Sequence, residues 1–126
     1  MLGPCAKRRA ALTEPHDPPS AVELIEAVRE FLREDVMPAT EGRVQFHARV
    51  AANVLGIVGR ELELGDDQQD EHRQRLRALG YESDADLARA IRDGEIDHRD
   101  LEVLEAVRAS VTDKLRVARP RYLEQA

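Results

Sequence analysis

Three ionisable side chains lie inside an otherwise apolar stretch of this sequence. Arg43, His47 and Glu61 fall within the apolar arc of a helix predicted from about Thr40 to Leu64. Charged groups removed from water are costly unless they are paired. The pattern therefore predicts a buried polar network that also draws on the neighbouring helices, and its members are Asp35, Arg43, His47, Glu61 and Arg108.

Two interpretations of these ionisable residues remain open. The favoured one is a structural network of ion pairs and hydrogen bonds that fixes the register of the helices. The other is a small polar pocket that binds an anionic small molecule, such as an acyl-CoA or a phosphorylated metabolite, through Arg43, His47 and Lys114. In that pocket His47 would be the residue that titrates near neutral pH.

A strip of small residues continues the non-polar surface of the same helix, and it consists of Ala48, Ala52, Gly56 and Gly59. A glycine inside a helix costs about 1 kcal/mol relative to alanine, so two on one strip indicate that another backbone approaches closely there. Packing of another helix of the same chain is the favoured explanation. The alternative is the interface of a homodimer.

No set of residues has the spacing of a known catalytic or metal site. His98-Arg99-Asp100-Leu101 is similar to the catalytic loop of protein kinases, but Glu105 stands where the kinase pattern requires asparagine. The four histidines lack metal-binding spacings, and the single cysteine excludes both a thiolate cluster and an intramolecular disulfide. The sequence therefore favours a non-catalytic protein without a metal or other cofactor.

Composition limits the classes of partner. The formal net charge is −6, and aromatic residues make up only 3% of the 126 residues. A negative chain gains little from binding the phosphates of nucleic acids, and it has few aromatic side chains to stack on bases. No apolar run reaches the length of a membrane span or of a signal peptide. We expect a cytoplasmic protein that binds neither nucleic acid nor membrane.

Apolar residues at helical spacing predict about five helices and no strand. Ser20 and Glu23 form a capping box that begins helix 1, and Pro38 ends that helix. Helix 2 follows as far as Gly65, which we expect to adopt the left-handed conformation of a C-terminal cap. The remaining helices are predicted at about residues 66–79, 83–93 and 97–119, and they end at Gly80, Gly94 and Pro120.

These elements predict an all-α fold, a compact bundle in which the long helices 1, 2 and 5 form the core. The short helices 3 and 4 would pack as a pair at its periphery. Residues 20–126 would form this single domain. Residues 1–19 contain four of the six prolines and no periodic apolar pattern, which predicts a flexible N-terminal leader.

Several segments carry a family resemblance to a small bacterial all-helical family, domain of unknown function 6285. They are Ser20-Ala-Val-Glu-Leu-Ile-Glu-Ala-Val-Arg-Glu-Phe-Leu32, Asp35-Val-Met-Pro-Ala39, Glu41-Gly-Arg-Val-Gln-Phe-His-Ala-Arg-Val-Ala-Ala-Asn-Val-Leu55, and the ending Asp113-Lys-Leu115 with Pro120-Arg-Tyr122. The resemblance covers nearly everything after residue 18. It implies a protein partner, because members are encoded beside aminoglycoside-phosphotransferase-like kinases and acyl-CoA dehydrogenases, and it implies no activity. The polar core positions that match are Arg43, His47, Arg49 and Asn53.

We therefore expect a non-catalytic accessory or interaction domain that works with a phosphotransferase-like or acyl-CoA-dehydrogenase-like enzyme. The basis for this expectation is the unusually wide apolar surface of helix 2, together with the lack of a catalytic set of residues. The alternative is a protein that binds a small molecule. The sequence identifies neither the ligand nor the partner, and it leaves the oligomeric state open.

Overall fold

The computed structural model describes residues 12–125, and every regular element in that range is a helix, which confirms the all-α fold class. None of these described helices is both long enough and apolar enough to cross a membrane. The elements are α1 (Ala21–Phe31), a π-helical turn (Leu32–Val36), α2 (Met37–Ala39), α3 (Gly42–Ala78), α4 (Asp84–Arg92), α5 (Leu101–Ala118) and α6 (Pro120–Glu124).

The start of α1 follows from its local sequence. The backbone N–H of Glu23 donates to Ser20 Oγ at 3.2 Å, and that hydroxyl donates to the Glu23 carboxylate at 3.3 Å. The first of these bonds satisfies a backbone donor that the first turn of a helix otherwise leaves free, and the second joins the two side chains. The helical path then continues through the π-helical turn into α2, where Pro38 is the middle residue, so the helix continues one residue past the proline that was predicted to end it.

The largest departure from the sequence prediction is α3, a single helix of 37 residues where two helices were expected. The described glycines with positive φ are Gly42, Gly80 and Gly94, so Gly65 does not form the predicted left-handed cap. No proline follows Gly65, and a lone glycine costs a helix only about 1 kcal/mol, so the helix continues through it. The predicted short helix 3 is the second half of α3. The prediction that helices 3 and 4 form a pair of short helices is therefore wrong.

A glycine, Gly80, ends α3. Gly80 has a φ of +90°, and the N–H of Tyr81 donates to the carbonyl of Leu76 at 2.9 Å. This is the long hydrogen bond of a Schellman motif, which needs a residue in the left-handed region. Gly94 ends α4 with a φ of +77°, so both of these predicted stops are confirmed.

The beginning of α5 lies later than its sequence pattern suggests. Asp100, rather than Asp97, caps the helix, because its side chain accepts from the N–H of Glu102 at 2.9 Å. Asp97 instead holds the preceding turn, where it accepts from the backbone N–H of Arg99 at 2.8 Å. Asp97 and Asp100 are three residues apart, and either carboxylate could cap the helix. Because Asp97 is used in the turn that precedes the helix, Asp100 is the cap.

The chain divides between Leu64 and Gly65 into two compact units. Unit 1, described from residue 12, contains α1, α2 and the first half of α3. The predicted leader (1–19) falls largely on residues outside the described range. The single domain expected over residues 20–126 stays a prediction.

Unit 1 is an antiparallel helical hairpin. The amide of Gln45, early in α3, donates to the carbonyl of Met37 at 3.0 Å. Later in α3, a Cβ added to Gly59 would lie 3.9 Å from Ile25 Cγ2. The beginning of α3 thus contacts the end of the preceding helical segment, and its later residues contact the start of α1.

Unit 2 consists of the second half of α3 with α4, α5 and α6. Gln68 of α3 donates to the backbone carbonyl of Asp113 of α5 at 3.1 Å, and His72 lies 3.1 Å from the hydroxyl of Ser110. Polar side chains therefore join α3 to α5 directly. The buried apolar side chains of unit 2 are Leu76, Leu87, Ala90 and Val103.

Candidate interaction surfaces

The predicted buried network is not formed. Its prediction assumed that helix 2 is covered by protein on most of its circumference, but in unit 1 α1 covers only one side of it. In the part of the chain that the structure describes, no hydrogen bond or ion pair joins any two members of the set. All of them are exposed, and they are Asp35, Arg43, His47, Glu61 and Arg108.

The strip of small residues on α3 packs against α1 within unit 1. Ala48 and Ala52 are only 6% and 1% exposed. A Cβ added to Gly59 would make ordinary contact with the side chain of Ile25, and one added to Gly56 would meet only side-chain atoms. The close backbone approach expected at these glycines is therefore absent, and the strip is covered by the chain's own α1.

The opposite side of α3 in unit 1 is apolar and open to solvent. Val50 and Val54 are 41% and 50% exposed. At about 100° per residue they lie roughly 150–170° around the helix from the small-residue strip. Contiguous exposed apolar patches are common at sites of protein–protein contact. The other large apolar side chains exposed among the described residues of unit 1, on α1, on α3 or before them, are Leu12, Leu24, Val28, Phe31, Val44, Phe46, Val58, Leu62 and Leu64.

Unit 2 contains a cavity of about 140 Å³ between α3, α4 and α5. Its apolar wall is formed largely by Leu76, Leu87, Val107 and Val111. A dry cavity of about 150 Å³ is large enough to bind benzene, so this one has room for one aromatic or branched aliphatic group.

The polar wall of this cavity holds a Ser–His–Asp arrangement. His72 Nδ1 lies 3.1 Å from Ser110 Oγ, and His72 Nε2 lies 3.0 Å from Asp84 Oδ2. The Ser110 hydroxyl also donates to the carbonyl of Ala106 at 3.0 Å. Ser110 lies within α5, so the backbone N–H groups next to it are used in helical hydrogen bonds. The contacts of His72 join the three helices α3, α4 and α5 through side chains.

An ion pair next to the cavity fixes α5 to α3. Arg75 Nη2 lies 2.9 Å from Asp113 Oδ2, and Asp113 is only 9% exposed. Arg116 adds a longer contact of 3.5 Å to the same carboxylate. Sequence reasoning missed this pair and the histidine contacts because their residues are distant in sequence: Arg75–Asp113 and His72–Ser110 are 38 positions apart, and His72–Asp84 are 12 apart.

Of the three residues proposed to bind a ligand, Lys114 alone lines the cavity. Arg43 and His47 lie in unit 1, on the exposed side of α3. Within residues 12–125, no three histidine, cysteine or acidic side chains are grouped as a metal ion would require.

An apolar stripe on α5 leads into the cavity. Leu104, Val107 and Val111 are 48%, 45% and 47% exposed, and the two valines also line the cavity. At about 100° per residue, Arg108 lies just inside one edge of the stripe and Lys114 lies just outside the other edge. We call Leu101, Leu104, Val107 and Val111 the α5 stripe.

Comparison with known proteins places this chain in a family. Residues 38–122 match the model of the family described as Domain of unknown function (DUF6285). The chain belongs to this family. The resemblance noted in the sequence is thereby confirmed, and the matched region contains α3, α4 and α5. No curated protein and no solved structure matches the chain significantly.

Proposed function

We propose that this protein is a non-catalytic accessory protein of the bacterial cytoplasm that binds an enzyme. The partner class is a phosphotransferase-like or acyl-CoA-dehydrogenase-like enzyme, as the family resemblance implies. The observation that carries the proposal is the α5 stripe, an exposed apolar surface that continues into a cavity. An apolar patch beside a well-formed pocket is typical of a protein-binding site.

The size of the cavity supports a protein partner. A volume of about 140 Å³ accepts one bulky side chain, and binding sites often concentrate their energy in one such anchor. The α5 stripe would then pack around the anchor. Arg108 and Lys114 would lie at the rim, where basic side chains orient a partner whose apolar patch is bordered by carboxylates.

The test is identification of what the tagged full-length chain retains from its native host. We expect mass spectrometry to identify an enzyme of one of the two classes, and the purified enzyme to bind the purified chain. Leu104→Asp places a charge at the centre of the α5 stripe, and it should weaken binding by about tenfold or more. Leu24→Asp is the matched control, because Leu24 is 54% exposed but lies on α1.

Repeated recovery of the chain alone would contradict the proposal. Equal loss of binding in both variants would also contradict it, because the α5 stripe would then have no special role.

A second candidate function is the binding of a small anion in the same cavity. Lys114 lines the cavity beside apolar walls, which suits a small organic carboxylate. The volume is well below the roughly 300–1,000 Å³ of sites for larger ligands, so an acyl-CoA does not fit inside. Thermal-shift measurements with short-chain and aromatic carboxylates test this candidate. A ligand at a hundred times its Kd should stabilise the chain by about 2.7 kcal/mol, and Lys114→Met should abolish that gain.

A further inference from the structure

We infer that the exposed side of α3 in unit 1 is the interface of an antiparallel homodimer. The occupant of this surface is the same segment, residues 43–61, of a second copy of the chain. The inference does not depend on the proposed enzyme partner, because it concerns residues of unit 1, whereas the partner is proposed to bind residues of unit 2.

The residues on this side of α3 have the spacing of a helix–helix seam. From residue 43 to residue 61 the intervals between them alternate between four and three. That alternation keeps successive side chains on one face when two helices pack side by side. Most of these side chains are exposed, and Ile57 is half-buried. We call this set the α3 seam, and it comprises Arg43, His47, Val50, Val54, Ile57 and Glu61.

The charges of the α3 seam are self-complementary in one orientation. Arg43 and Glu61 are 18 residues apart, which is five helical turns, so they lie on the same face at opposite ends of the seam. When a second seam runs in the opposite direction, Arg43 of each copy lies opposite Glu61 of the other. A parallel arrangement would instead place like charges opposite each other, which is unfavourable.

The same antiparallel register also matches the apolar residues. With the two-fold axis beside residue 52, Val50 of each copy lies opposite Val54 of the other, at the centre of the seam. His47 lies opposite Ile57. Two-fold symmetry repeats each of these pairs, as an isologous interface requires. The centre of the seam is therefore apolar and its two ends carry matched charges.

A dimer through the α3 seam explains two features that one chain leaves unexplained. Val50 and Val54 are 41% and 50% exposed in one chain, and the second copy would cover them. Arg43 and Glu61, which have no partner of opposite charge within residues 12–125, would gain one. The small-residue strip is not available for this contact, because α1 already covers it.

The first test is the mass of the full chain in solution over a range of concentrations. We expect light scattering to give twice the 14.2 kDa of one chain, falling toward one chain on dilution. A mass of one chain at every concentration would overturn the inference. The result is independent of the enzyme-binding test, since a dimer can form whether or not an enzyme is captured.

The second test reverses the charges at the ends of the α3 seam. Arg43→Glu and Glu61→Arg should each raise the dimer Kd by about tenfold, because each places two pairs of like charges opposite each other. The double variant restores opposite charges, and it should return the Kd to within about threefold of the original. Arg49→Glu and Glu63→Arg are matched controls on the exposed surface of the same helix, outside the seam.

We expect the charge-reversal variants to keep the fold, so that a change in the dimer Kd reports on the interface. Circular dichroism should show unchanged helix content, because all the substituted side chains are exposed. A double variant as weak as the single variants, or controls that weaken the dimer equally, would overturn the antiparallel register.

Discussion

Asp113→Ala is expected to destabilise the protein more than any exposed charge substitution. The Asp113 carboxylate accepts a hydrogen bond from Arg75 at 2.9 Å, and the side chains of the two residues are only 12% and 22% exposed. Removal of one partner of a fully buried pair costs about 3–5 kcal/mol. Because Arg75 retains some contact with water, we expect a loss of about 2–3 kcal/mol in the free energy of unfolding.

Urea unfolding of the full chain, followed by circular dichroism, measures this loss. The protein concentration must be the same for every variant, because association would shift the apparent stability. Arg116→Ala is the comparison. It removes a contact of 3.5 Å to the same carboxylate from a side chain that is 58% exposed, so it should cost about 0.5 kcal/mol or less. Equal losses for Asp113→Ala and Arg116→Ala would refute the assignment of the Arg75 pair as the main link between α3 and α5.

Two further predictions concern local structure. Gly59→Ala should raise the free energy of unfolding by about 0.5–1 kcal/mol, because alanine favours helix and its Cβ would lie 3.9 Å from Ile25. A loss of stability in urea unfolding would mean that something besides α1 packs on this strip. Asp97 should have a pKa below its ordinary value of 3.8, because the side chain and then the backbone N–H of Arg99 donate to it. Its contribution to stability is present above 3.8 and is lost as the pH falls through the lowered pKa. Arg99→Ala should raise that pKa in an NMR titration, and an unchanged value would contradict the bond.

Local signals determined which parts of the fold could be predicted. The N-cap bond at Ser20 and the helix end at Gly80 depend on residues within one turn, and both were predicted from neighbouring sequence. Gly65, like Gly80, follows a run of residues with a helical pattern, yet α3 continues through Gly65. The choice between ending and continuing a helix at one glycine involves only about 1 kcal/mol, which residue type alone does not decide.

The candidate surfaces could not be predicted from the periodicity of one helix, because periodicity does not show which other residues contact that helix. Periodicity showed that Arg43, His47 and Glu61 share a face with apolar residues, but it does not show whether that face is covered by the same chain. The contacts of His72 and Arg75 in unit 2 were missed because their partners are distant in sequence. One feature of the sequence could have indicated these contacts. The second half of α3 has few apolar residues, so the side of it that packs against the rest of unit 2 must make polar contacts.

Cross-linking tests the central claim most directly, namely that the α3 seam binds a second copy in the opposite direction. The variant is Asn53→Cys with Cys5→Ser, so that one thiol lies beside the two-fold axis. In the antiparallel dimer a short bis-maleimide should join two Asn53→Cys chains. It should not join two Val44→Cys chains in the same background, because those positions are roughly 24 Å apart along the helix axis. Cross-linking at both positions would contradict the antiparallel register, and cross-linking at neither would contradict the dimer.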